Sequence, residues 1–401
     1  MKDAYIFDAV RTPRGKARAD GGLHDLSPYE LMSLLYTALE QRTGLNPARV
    51  GDVILGCATQ HGELAANIAK TSTLHHGWPG NIPGITVNRY CSSGVDAISL
   101  AAMKVMTSVD DMVVAGGVEM LSRITMFSDQ PAAFLDHAIA KKMGMYMMGC
   151  GADLVATLHD VSREQADHIA LLSHQRAQHA CANGFYTSII PVQNPVKDVL
   201  VEHDELIRPR TSKETLANMQ PSFVTLGASG IDADYLQHYP DLKAIRHVHT
   251  AANSPAMADG AAAVLIASLE AGEQLAIKPR ARIRAMVNVN DNIHTVIAGC
   301  VAATKELMRR ENLSANDVDL FEIHEAFAAT MVYCQQELGI NDDKLNVNGG
   351  CIALGHPLGA TGAIMTSTLL DELERRSLTT GIVAAAGAAG AGSALMIERV
   401  A

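Results

Sequence analysis

Cys91 closes the run TVNRY and opens Ser-Ser-Gly ahead of the helical pattern DAISLAAMKVM, which predicts a sulfur at a helix N-terminus. The helix dipole and the free N–H groups there favour thiolate over thiol, the state of an acyl-accepting nucleophile. Taken alone, the segment fits a buried structural cysteine beside a small-residue turn just as well. Two histidines offer complementary chemistry. His356 lies in VNGGCIALGHPLGATGA, where glycines let backbone approach a ligand and Pro357 stiffens the turn. His324 lies in FEIHEAFAAT, just after the strand-like VDLFEI and where a helix begins. Each histidine alone fits a cap or a satisfied core group. With Cys91 they make the set that thioester chemistry requires, namely a nucleophile, a base to activate it and a donor to a thioester oxygen. The run VAAAGAAGAGSALMIE can supply a tight loop with accessible N–H groups for an oxyanion, or only close strand packing.

The elements that must position these residues alternate. YIFDAV, a helix around Pro28 to Arg42, DVILGC, a helix near Ala65 to Leu74, and GITVNRY before a helix from Ser92 predict an α/β fold with largely buried strands. The pattern then repeats. ALEQRTGLNPARVGDVILG aligns without a gap on TKELMRRENLSANDVDLFEI, Leu45 falling on Leu313, while VNRYC (Val87 to Cys91) faces VNGGC (Val347 to Cys351) and VVAGGVEM faces VAAAGAAG. Three matches in the same order predict an internal duplication, with corresponding loops meeting across a pseudo-twofold axis. The expected division is 1–270 and 271–401, the first half carrying an inserted loop subdomain at about 119–249 that is richer in Met, His, Pro and charge.

Composition bounds the function. The 401 residues exceed what one core usually serves, and 48% hydrophobic with 19% charged residues permits a large core that must be aliphatic, since aromatics are only 4%. A formal charge of −11 disfavours nucleic acid as a partner. The seven cysteines have neither CxxC spacing nor a Cys/His pattern suited to zinc, so they read as reduced thiols and no metal is expected. The N-terminal MKDAYIFDAV lacks the apolar core of a signal peptide, and the Ala/Gly-rich Gly381 to Ile397 is too short for a membrane span. A cytoplasmic protein, or one of an organelle matrix, is expected.

With these residues assembled, the chain resembles the thiolase family (acetyl-CoA acetyltransferases and 3-ketoacyl-CoA thiolases) over essentially its whole length. The resemblance rests on DAVRTPRGK, DVILGCATQHGE, VNRYCSSG, AGGVEMLSR, SREQAD with LLSHQRA, TAANSPAMADGAA, HEAFAA and NVNGGCIALGHPLGATG. It implies duplicated α/β halves in an α-β-α-β-α layering. It also implies a two-step exchange in which Cys91 takes an acyl group from an acyl-CoA and passes it to CoA or to the enolate of acetyl-CoA. His356 would activate Cys91, and His324, where many thiolases have Asn, would help stabilise the thioester oxygen of the second substrate. No cofactor is implied beyond CoA and acyl-CoA as substrates. Contacts to them carry over to Met148, Ala251, Ser254, Ala326 and Phe327, with Arg208 and Arg210 assigned to the CoA phosphates because guanidinium suits phosphate geometry. HEAF with TAANS resembles the degradative branch, which implies fatty-acid breakdown, a homodimer or homotetramer, and a β-oxidation partner subunit. The stretch 227–249 is longer than the family's usual connection.

The chain departs from the family at one chemical position. The second catalytic cysteine of the family, the acid/base for the α-proton of acetyl-CoA, falls at Ala386. An engineered knockout, a natural branch using another group and altered chemistry are all open, and Cys351 is either a substitute acid/base or a small buried residue. A catalytically degenerate CoA-binding subunit and a Cys-His-His condensing enzyme like the ketoacyl synthases are the alternative readings.

Overall fold

The computed structural model describes residues 2–400. The run YIFDAV extends into strand β1, Ala4–Arg11, whose side chains alternate between two apolar layers, Ala4, Ile6 and Ala9 on one face and Phe7 and Val10 on the other. A capping box of Ser27 and Glu30 starts helix α1, Pro28–Thr43, and Gly44 at φ 71° ends it. Then come β2 (Asp52–Gly56), α2 (Ile68–His76), β3 (Gly84–Val87), α3 (Ser93–Met106) and β4 (Met112–Met120). Residues 121–257, with helices α4 (Met148–Leu158) and α5 (Arg163–Ala182), separate β4 from β5 (Ala258–Ala267). The second series is β6 (Ala281–Asn290), α6 (Gly299–Glu311), β7 (Leu320–Ile323), α7 (Ala328–Leu338), α8 (Thr361–Arg375), β8 (Thr380–Ala386) and β9 (Ala391–Arg399). Among the described residues no helix is long and apolar enough to cross a membrane.

Strand pairing repeats as the sequence does. β2 lies parallel to β3 and β4, β4 antiparallel to β5, and β5 antiparallel to β1. Likewise β7 lies parallel to β8, β8 antiparallel to β9, and β9 antiparallel to β6. The counterpart of β3 shrinks to one bridge between Phe321 and Leu345. β1 and β6 then pair at Ala4–Ile6, joining both sets into one sheet. One outer apolar layer unites α1 and α2 with β1, β2, β4 and β5, and the other unites α4, α5, α6 and α7 with β7, β8 and β9. Between them α3 and α8 share an inner layer with residues of both strand sets. The expected layered, duplicated α/β fold is present.

The inner layer is tight because glycines leave backbone against backbone. A Cβ on Gly94 of α3 would stand 2.6 Å from the Ala363 amide nitrogen and 3.0 Å from the Gly359 oxygen. On Gly117 of β4 it would stand 2.7 Å from the same oxygen and 2.9 Å from that of Gly56. Backbone cannot swing aside as a side-chain end can, so overpacking here costs stability. Gly94→Ala is expected to lower the unfolding free energy by about 1–3 kcal/mol, read from the urea midpoint; an unchanged midpoint would show that the contact yields.

Candidate active site

The turn before α3 holds Cys91 by local hydrogen bonds. Tyr90 sits at φ 53°, where a non-glycine residue is strained. Asn88 Oδ1 accepts from the Tyr90 amide at 2.8 Å, and Ser93 Oγ accepts from the Arg89 amide at 2.9 Å while donating to the Tyr90 carbonyl at 2.5 Å. Ser92 Oγ donates to the carbonyl of Ala385 on β8 at 2.8 Å, tying the Cys91 turn to the other half.

Both histidines come from that half and line one cavity with Cys91. A cavity of about 440 Å³ is lined by Cys91, His324 and His356, by Met126, Met148, Pro255, Met257 and Phe327, and by Ala326 and Ala386. A second cavity, of about 550 Å³, also opens on Cys91 and is walled by Phe127, Pro131 and Phe134. The two imidazole rings lie 4.4 Å apart. His356 is held through Nδ1 by Thr361 Oγ1 at 2.8 Å. His324 holds Nδ1 3.3 Å from the carbonyl of Ala386, and its Nε2 has no hydrogen-bond partner among the described residues. A carbonyl can only accept, so the proton of neutral His324 is on Nδ1 and Nε2 presents a bare lone pair. Cys351 does not line the cavity. Its sulfur and one ring nitrogen of each histidine lie within 4.8 Å of one another, the one trio of candidate metal donors among the described residues, and no carboxylate joins it.

Two expectations are corrected by burial. The cavity exposes part of Cys91, yet burial pushes its thiol up to about 12, the charge of Glu119 and the nearby Cys351 adding to the rise. Desolvation outweighs the helix dipole, and Cys91 rests as a thiol rather than a thiolate. Burial likewise holds His324 down to about 4 and His356 well below its ordinary range, helped by the charge of the buried Arg14. With Nδ1 facing the Ala386 carbonyl, neutral His324 presents Nε2 to the cavity as an acceptor, whereas the resemblance implied a donor to a thioester oxygen. Neutral His356 is free to take the Cys91 proton. A sulfur, a neutral imidazole and a largely apolar cavity lie together here, the set that acyl transfer requires.

Residues 4–233 match the family model "Thiolase, N-terminal domain", and residues 277–399 match "Thiolase, C-terminal domain". The chain belongs to the thiolase family. The 3-ketoacyl-CoA thiolases of Salmonella typhimurium and Bacillus subtilis are 36% and 35% identical to it, with 100% and 99% of this chain and all of each relative covered. Human mitochondrial 3-ketoacyl-CoA thiolase superposes with a TM-score of 0.87 at 28% identity, covering 100% of this chain and 99% of that one. The Bacillus anthracis acetyl-CoA acetyltransferase superposes with a TM-score of 0.85 at 31% identity and the same coverage. This thiolase is an acyltransferase enzyme.

Of the residues expected to bind substrate, Met148, Ala326 and Phe327 line the cavity, whereas Ala251, Ser254, Arg208 and Arg210 do not. Arg208 is exposed and gives its backbone N–H to His174 Nδ1. Ala251 and Ser254 lie in a turn that Asn253 builds, its Oδ1 accepting from the Thr250 amide and its Nδ2 donating to Asp167. The Asn253 carbonyl in turn accepts from the Ala328 amide, docking that turn on HEAF.

Two buried carboxylates escaped notice in the sequence. Glu119 accepts from the amides of Ala58, Thr59 and Gly359, binding the loop after β2 to the loop entering α8. Glu325 accepts from Ser173 Oγ and the Ile352 amide, fixing the short turn that carries Cys351. The signal for Glu119 was a lone charge inside the apolar strand MVVAGGVEM. Glu119→Ala strands three buried donors at about 1–3 kcal/mol each. Thermal denaturation should show a large loss, smaller in Glu119→Gln, and parent-like stability of the alanine variant would sink the assignment. His324 adds a pH signature. With a folded pKa near 4 against an ordinary 6.5, it contributes stability above pH 6.5 that is lost as pH falls towards 4. Between those values the unfolding free energy of the parent should fall more steeply than that of His324→Asn, and equal slopes would count against a buried neutral imidazole.

Proposed function

We propose that this thiolase acts in fatty-acid degradation, cleaving 3-ketoacyl-CoA with CoA through an acyl group carried on Cys91. The observation that carries the reading is the convergence of Cys91 and His356, from opposite halves, on one apolar cavity. His356 takes the Cys91 proton, Sγ adds to the C3 carbonyl, and the C2–C3 bond breaks with its electron pair on C2, which gains the proton that left Cys91 as acetyl-CoA departs. CoA then takes the acyl group from Cys91. The amide of Ala388, at the head of the turn after β8, is assigned to the thioester oxygen in place of His324. The cavity walled by Phe127, Pro131 and Phe134 is assigned to the acyl chain, and the one holding the histidines to the CoA-bearing acetyl unit. The relatives named 3-ketoacyl-CoA thiolase support this substrate class. A homodimer or homotetramer in the cytoplasm, alongside a β-oxidation partner subunit, belongs to the same reading and rests on the family; light scattering on purified protein measures the assembly.

Intact-mass analysis after mixing with acetyl-CoA should show one acetyl adduct on the parent and none on Cys91→Ala, which should also lose thiolysis. No adduct on the parent would favour a CoA-binding subunit without chemistry. Among 3-ketoacyl-CoA substrates, each methylene that fits the aromatic-walled cavity is expected to raise kcat/KM by up to about fourfold, from ~0.8 kcal/mol per buried CH₂. A preference for acetoacetyl-CoA would contradict that assignment of the cavity.

A further inference from the structure

Carbon–carbon bond making or breaking at acetyl-CoA needs a group that removes or returns the proton at C2. Three titratable side chains line the cavity of the catalytic trio, namely Cys91, His356 and His324. Asp129 and Tyr90 line the neighbouring cavity and not this one. Cys91 is occupied as the nucleophile and His356 as its base, and position 386, on the same wall, is an alanine with no proton to give. His324 is 2% exposed, its ring is locked by the Nδ1–H bond to the Ala386 carbonyl, and its Nε2 is left without a partner. An unpartnered buried lone pair costs stability and calls for an explanation.

Building on the reading above, we propose that His324 Nε2 is the acid/base for the C2 proton. The residue is thus the proton carrier of the carbon–carbon step, and not a donor to the thioester oxygen. In the condensing direction the Nε2 lone pair takes a proton from C2 of acetyl-CoA, and the C–H electron pair becomes the enolate. C2 attacks the carbonyl carbon of acyl-Cys91, the tetrahedral alkoxide collapses, and the C–S bond breaks with its electron pair on Sγ. The proton passes from His324 to His356, whose ring is 4.4 Å away, and on to the Cys91 thiolate. Thiolysis runs the same path backwards, so the thiol proton of Cys91 ends on C2 of the departing acetyl-CoA and no outside acid is needed. Burial supports the role, since the imidazole is neutral and ready to accept at working pH, and once protonated it is a strong acid towards an enolate. Cys351 lies in the same cluster but does not line the cavity, and is not the carrier.

The experiment follows exchange of the C2 protons of acetyl-CoA in D₂O by NMR, beside intact-mass detection of acetyl-Cys91. The parent should exchange. His324→Asn, which can still donate a hydrogen bond but cannot accept a proton, should exchange at least about 100-fold more slowly, the low end of acid/base contributions, while acetyl-Cys91 still forms. Adding Ala386→Cys to that variant should restore exchange by placing a thiol on the same wall, which also shows the site to be intact. Cys351→Ala should exchange within about threefold of the parent. The inference is overturned if His324→Asn exchanges like the parent, if the double variant stays inactive, if Cys351→Ala loses exchange, or if the parent is acetylated yet does not exchange. A parent that forms no acetyl-Cys91 would instead bring down the function on which the inference rests.

Discussion

Backbone packed directly on backbone at Gly56, Gly94, Gly117 and Gly359 is the contact on which the active site depends. It brings the first turn of α3 and the loop entering α8 within van der Waals reach, with no side chain between them. Cys91 stands just before one of these elements and His356 just before the other, so their meeting follows from the closeness of two main chains. Ser92, bonded across to β8, and Glu119, bonded to the loops after β2 and entering α8, fix the remaining freedom. The two halves repeat one arrangement of strands and helices, but neither holds all of the residues that line the cavity.

The second constraint is the dryness this packing creates. Desolvation raises the Cys91 thiol and lowers both histidines, so the resting site holds three neutral groups. Charge then appears only as reaction proceeds, where fixed dipoles and the nearby Arg14 act without competing water. Arg14 is itself fully buried, its backbone held by Asp204, and two of its guanidinium nitrogens have no partner among the described residues. Its charge adds to burial in keeping the histidines unprotonated.

Much of this was legible in the sequence, for physical reasons. Periodicity and the repeat of ALEQRTGLNPARVGDVILG in the second half gave the alternating elements, because both copies must bury strands from either side. Cys91, His324 and His356 were legible as chemistry because a thiol and imidazoles at strand ends are rarely idle when they coincide. The protonation states were not, since they depend on how completely the surroundings exclude water, and a helix N-terminus next to Cys91 pointed the wrong way. Nor was the tautomer of His324, which is set by a carbonyl 62 residues along the chain. Arg208 and Arg210 were chosen for matching phosphate, a property of the residue type that says nothing of its place. Glu119 went unread because a carboxylate in an apolar strand becomes meaningful only when its three amide partners are seen.

Cys91 also lies at the junction of two cavities, one holding the histidines and one walled by phenylalanines. An acyl chain left on the sulfur can rest in the second while a spent thiol leaves through the first, so the two never need to pass. On the proposed route the enzyme would therefore wait, loaded, between partners. On the proposed acyl-Cys91 route its rate law would be of the substituted-enzyme kind, with parallel double-reciprocal lines, and the lifetime of the loaded state would be governed by how well the aromatic walls keep water from the thioester.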